Sequence, residues 1–286
     1  MTDIWYLLSD ADAWLYHYTS ATKLLAHILP TGRLQFSPFD AVNDPRENRQ
    51  FELNALEWGD DIPFETPNAF AKSLKSGWRI ACFTSDPPHA AFAAKLEATP
   101  SDFDRMHDRG HSRPRMWAQY ADNHRGACIV FRKEQLGHCI RAFAAKFRLR
   151  ACSGQVAYED IAVVPRLAPG PFSASMNSVR KLGLEEAARL HSERYLAELF
   201  LTKNRDWEAE HEFRWLLHGP GADRLLVEVD TSIAGVLLGA DFPETDVPAV
   251  AGQILTSNIE LAKMRWKNGI PQIEPLNVPV WAGMPS

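Results

Sequence analysis

Two glutamates one residue apart, followed at the same interval by an arginine, stand in the run Trp207-Glu-Ala-Glu210-His-Glu212-Phe-Arg214-Trp215. In an extended segment side chains alternate, so Glu210, Glu212 and Arg214 would share one face, and His211, Phe213 and Trp215 the other. Alternate Cα atoms of a strand lie about 6–7 Å apart, close enough for two carboxylates to converge on one small site. Their mutual repulsion raises one pKa, and a neighbouring guanidinium lowers it. A carboxylate so placed suits cleavage of a glycosidic bond, whose oxocarbenium-like transition state an adjacent anion stabilises. The same residues also fit an exposed Glu–Arg ladder of little energetic consequence.

A second candidate is His17 in Trp14-Leu-Tyr-His-Tyr-Thr19. Alternation groups it with Leu15 and Thr19, opposite Trp14, Tyr16 and Tyr18, either as a hydrogen-bonded core histidine or as a site residue. Asp44 and Glu47, in Asn43-Asp-Pro-Arg-Glu47, read first as a helix-capping box, with Pro45 at the first helical position. Tyr120 follows Met116 at helical spacing, which fits a core position, and it could equally be a stacking platform. The stretch Arg132–Arg150 carries Arg141, Lys146 and Arg148 interleaved with Phe143 and Phe147. That composition can hold phosphates or unpaired bases, although a solvated helix face is its commoner meaning.

The elements that must position these residues are a mixture. Trp14–Thr19 predicts a strand, capped into a helix at Thr19 or Ser20 and ended by Pro30 and Gly32. Further strands are expected at Trp78–Thr84, Ala127–Phe131, Glu210–Leu217 and Leu225–Val229. Helices are expected near Asn68–Lys75, Arg115–Ala121 and, at length, Leu184–Thr202. The Pro/Gly/Ser-rich stretch Pro165–Ser178 reads as a loop, and a β-α-β ending spans Ile233–Gln272. Without regular alternation a doubly wound sheet is not expected; the fold class is α+β. The chain reads as a single elaborated domain over 1–286, with a lobe boundary near 165–183 the one place to divide it.

The chain has 286 residues and a net charge of −5, yet Arg105–Arg150 holds eleven Lys/Arg against three Asp/Glu, a local +8. The average thus conceals a segment suited to a polyanion. Four scattered cysteines form no C-x-x-C pair, so neither a structural metal nor a disulfide framework is expected. Phosphate-loop, dinucleotide-fingerprint, nucleophile-elbow and H-E-x-x-H patterns are absent. No apolar run is long enough for a membrane span, and Met1–Asp12 lacks the basic, apolar make-up of a secretory signal, so a cytoplasmic location is expected.

Several runs together resemble the bacterial domain of unknown function 2971. They are Leu15-Tyr-His-Tyr-Thr-Ser20, Asn43-Asp-Pro-Arg-Glu47, Cys82-Phe-Thr-Ser85, Met116-Trp-Ala-Gln-Tyr-Ala121 through Gly126, and Lys203 with Trp207-x-x-Glu210-x-Glu212-x-Arg214, in that order. A more distant likeness is to ADP-ribosyltransferase toxins, which open with a strand bearing His-aromatic-Thr. That likeness implies a split, largely antiparallel sheet with helices packed outside. It implies that NAD is the substrate, that His17, within His17-Tyr18-Thr19, bonds the adenosine ribose, and that Tyr120 stacks beside nicotinamide. Arg33 and Arg46 would meet the pyrophosphate. Glu210 or Glu212 would be the catalytic acid, the E-x-E spacing favouring Glu212.

The combined expectation is an NAD-dependent ADP-ribosyltransferase, a bacterial toxin or phage-defence effector. Its acceptor would be a nucleic acid or a protein, and an immunity or antitoxin partner is implied. A non-catalytic nucleic-acid or nucleotide-binding sensor is the alternative. A nuclease would need Asp44, Glu47 and Glu210 to meet around a cation.

Overall fold

The structure, a computed structural model, describes residues 11–42, 44–87, 109–160, 169–220 and 224–276. Its centre is an eight-stranded sheet. The strands are β1 (Trp14–Thr19), β2 (Trp78–Ser85), β3 (Ala127–Arg132), β4 (Arg150–Gln155), β5 (Glu212–His218), β6 (Ile233–Leu238), β7 (Glu260–Lys267) and β8 (Ile270–Pro275). Their spatial order is β8-β7-β6-β3-β1-β2-β5-β4, antiparallel at every interface except β6–β7. That one parallel pair is joined through helix Val247–Ile254, the expected β-α-β ending. The fold is therefore α+β with a large, mostly antiparallel sheet.

The interface between β1 and β2 is the weak one. Only Leu15↔Ser85 and Tyr16↔Thr84 keep register, whereas β1 pairs with β3 along all six residues. From His17 onward the two central strands part, and the sheet opens between them.

Alternation assigns the two faces. Leu15, Phe83, Phe131 and Trp215 pack in one cluster against helix α1 (residues 21–31) and helix α2 (Lys133–Phe147), through Leu24, Leu136 and Ile140. On the other face Ile80 and Leu216 pack with Phe70, Trp78 and Phe200, and Tyr16 and Tyr18 pack with Met116, Trp117 and Met264. Tyr16 stands opposite Thr84, and Thr84 opposite Glu212, so these two clusters share a face of the sheet.

Ser20 caps α1 by accepting from Lys23 N, and Gly32, at φ 62°, ends it in the left-handed region where a side chain is strained. Two expectations are corrected. The long helix Leu184–Thr202 is broken at Tyr195 (φ −109°) into Leu184–Arg194 and Leu196–Phe200, and Thr202 already begins a short strand. The expected loop Pro165–Ser178 holds the strand Ser173–Ser175 and the start of helix Met176–Leu182, while residues 161–168 lie outside the described residues.

Candidate active site at the split in the sheet

The two glutamates do converge, by a different route from strand alternation. Arg205–Glu210 is a turn of 3-10 helix, His211 follows at φ 44° and ψ 50°, and β5 begins only at Glu212. Glu210 is thus off the strand. What joins the carboxylates is Lys203, whose Nζ lies 2.8 Å from Glu210 Oε2 and 2.7 Å from Glu212 Oε2.

Around this centre every charge has a partner. Arg214 meets Glu212 bidentately, Nε to Oε1 at 2.7 Å and Nη2 to Oε2 at 2.9 Å. Its Nη1 lies 2.5 Å from Glu47 Oε1 and donates to Phe200 O at 2.6 Å. The Tyr120 hydroxyl donates to Glu210 Oε1 at 2.6 Å, and Glu212 N donates to the Tyr158 hydroxyl at 2.8 Å. Glu47, Lys203, Glu210, Glu212 and Arg214 are all buried, so the exposed-ladder reading is wrong. Unpaired charges here would be costly, which is why the residue types come as a set.

Two pKa displacements follow from the packing. Burial alone would raise the Glu212 carboxyl, but Arg214 and Lys203 outweigh it and hold it down at about 2. Burial raises Glu47, with Glu212 adding to the rise and Arg214 opposing it.

A cavity of about 310 Å³ opens at the split, at the lower end of the range for small-molecule sites. His17, Tyr18, Tyr120, Glu210 and Glu212 line it, as do Asp44, Glu47, Lys23, Cys82 and Lys203. His17 Nδ1 lies 3.0 Å from Cys82 O, where β1 and β2 have parted. A carbonyl only accepts, so Nδ1 carries the proton and Nε2 is left as an acceptor. Burial lowers the His17 pKa, keeping the ring neutral.

Not every expected site residue reaches this cavity. Thr19 is buried and does not line it. Arg33 is exposed and pairs with Glu228 at 2.8 Å, away from the lining residues. The Arg46 side chain lies outside the described residues. Arg141, Lys146 and Arg148 are exposed on and just beyond α2. Arg141 stacks over Trp215, which projects from the opposite face of β5 to Glu212, so the basic helix is across the sheet from the carboxylates.

The helix begins at Pro45 as the capping reading has it, and only the Glu47 side chain departs from that reading. The Glu47 backbone N donates to Asp44 O, but its carboxylate turns to Arg214. Lys203 was legible only as one residue of the resemblance motif; its role as the shared cation has no local sequence signal. Of the acids a nuclease would need around a cation, Glu47 is paired with Arg214 and Glu210 with Lys203, and among the described residues no cluster of His, Cys, Asp or Glu is arranged to hold a metal.

The profile of a family described as Protein of unknown function (DUF2971) matches residues 116–215. The matched span contains Tyr120, Lys203, Glu210, Glu212 and Arg214, but neither His17 nor Glu47. This part of the chain is similar to that family. No curated protein and no solved structure matches the chain. Among the described residues no helix is long and apolar enough to cross a membrane.

Proposed function

We propose that the chain is an NAD-consuming ADP-ribosyltransferase, with Glu210 as the catalytic carboxylate. The observation that carries this reading is a fixed, ion-paired carboxylate on the wall of a cavity that also holds a neutral imidazole. Lys203 and Tyr120 aim Glu210, while Glu212 is saturated by Arg214 and Lys203. Glu212 therefore organises the site, and the preference that E-x-E spacing gave it passes to Glu210.

The chemistry follows from the charges. The carboxylate stabilises positive charge growing on the ribose as the bond from C1 to nicotinamide breaks. The Tyr120 hydroxyl is engaged with Glu210, the His17 proton is given to Cys82 O, and Glu212 is held ionised. A leaving group must then depart without being handed a proton, as nicotinamide does from its cationic N-glycoside. His17 Nε2 would accept from a ribose hydroxyl. A nucleophile on the acceptor takes C1; water in its place makes the reaction a hydrolysis.

Following nicotinamide release from NAD, with protein, DNA and RNA acceptors supplied in turn, tests the reading. Glu210→Gln should lower the rate about 100-fold or more while the fold is retained. Tight NAD binding with no release by the unaltered chain would instead make this a nucleotide-binding module. Absence of both binding and release would end the proposal.

A further inference from the structure

Arg33 is away from the cavity, and among the described lining residues Lys23 is placed to meet a phosphate. Lys23 lies in the first turn of α1, three residues after the capping Ser20, and borders the cavity together with Ala41 and Val42. It is exposed, and among the described residues its ammonium has no carboxylate partner. The other lining cation, Lys203, is buried and committed to two glutamates. Two cations on one cavity thus differ in kind: one is spent on the protein, the other is available.

Lys23 also stands on the His17 side of the cavity. Its charge is felt by the His17 ring and adds to the effect of burial there. The ring presents Nε2 as an acceptor, suited to a hydroxyl, and the lysine an ammonium, suited to an oxyanion. The carboxylates are gathered instead around Lys203. A ligand matching this arrangement has a sugar with a phosphate attached on one side and a group of positive character on the other.

We propose that Lys23 is the phosphate anchor of the cavity, making it selective for nucleotides over nucleosides. This rests on the cavity being a nucleotide site, and not on turnover. The arrangement also explains how a cavity walled by Asp44, Glu47, Glu210 and Glu212 accepts an anion: the buried glutamates are neutralised from within, and the phosphate meets Lys23, the unspent cation among the described lining residues.

The test is calorimetric titration of the full chain with ADP and with adenosine, comparing Lys23→Ala with Lys72→Ala. Lys72 is an exposed lysine of the helix Thr66–Lys75 and does not line the cavity. The expected result is that ADP binds more tightly than adenosine and that Lys23→Ala weakens ADP about tenfold or more, the worth of one charged hydrogen bond. Adenosine binding by Lys23→Ala, and ADP binding by Lys72→Ala, should match the unaltered chain. Equal affinity of ADP for the Lys23 variant and the unaltered chain, no preference for ADP over adenosine, or no binding of either overturns the proposal. A Lys23-dependent ADP site without nicotinamide release would leave it standing and remove the transferase reading. Release with KM for NAD unchanged in Lys23→Ala would do the reverse.

Discussion

Removing the Lys203 ammonium would leave Glu47, Glu210 and Glu212 buried around the single guanidinium of Arg214. Losing one partner of a buried ion pair typically costs about 3–5 kcal/mol, because the remaining charge is left uncompensated. Lys203→Met should therefore lower unfolding stability by about that amount in urea titrations, and a loss under 1 kcal/mol would contradict the network. Acid adds a second residue-scale test. Glu212 titrates near its ordinary 4.5 when unfolded and near 2 when folded, so its contribution is complete above about pH 4.5 and is lost as pH falls toward 2. His111, fully buried with neither ring nitrogen hydrogen-bonded among the described residues, behaves differently. Burial first, then Arg109 and Arg113, push it from 6.5 to about 3. The unfolded chain binds that proton from about pH 6.5 downward and the folded chain does not until about 3. Stability should decline across that window by up to about 1.4 kcal/mol per pH unit. His111→Leu should flatten the decline between about pH 6.5 and 4.5 while leaving the limb below it, as read from urea midpoints over that range.

The element that aims Glu210 is the turn Arg205–Glu210, and its geometry depends on His211 at φ 44°. A β-branched residue is strongly disfavoured there, and glycine is not. His211→Val should be less stable than His211→Gly by about 1–2 kcal/mol and should reduce nicotinamide release. Equal thermal midpoints for the two variants would refute the strain argument. This same turn is where the sequence misleads. Glu210, Glu212 and Arg214 obey period two, yet only the last two lie on a strand, because a left-handed residue interrupts the run without disturbing its pattern. The strands carrying β-branched and aromatic residues, such as Trp14–Thr19 and Trp78–Ser85, were legible from local pattern alone. Convergence of Glu47 and Lys203 on Arg214 and the glutamate pair was not, since local spacing carries no information about side chains brought together by sheet pairing.

For the molecule as a whole, the basic stretch of the sequence divides between the two faces, Arg113 and Arg115 donating to the backbone of the turn that carries Glu210 while α2 lies on the other side. The exposed cations of α2 lie across the sheet from the carboxylate cluster, and Arg141 rests on Trp215 rather than near Glu212. Charge reversal at Arg141, Lys146 and Arg148 together should leave nicotinamide release unchanged within about twofold, because none of the three lines the cavity. A loss comparable to that of Glu210→Gln would mean that the basic helix serves the site after all. The Arg214–Glu47 contact has one more consequence, which concerns how the chain is made. Synthesis delivers Glu47 long before Lys203 and Arg214, so an emerging polypeptide holds half of an ionic lock whose other half is still untranslated. A product terminated before Arg214 cannot close the lock. Closure of this ionic cluster is thereby tied to translation past Arg214, and copies truncated before it keep Glu47 without the guanidinium it meets.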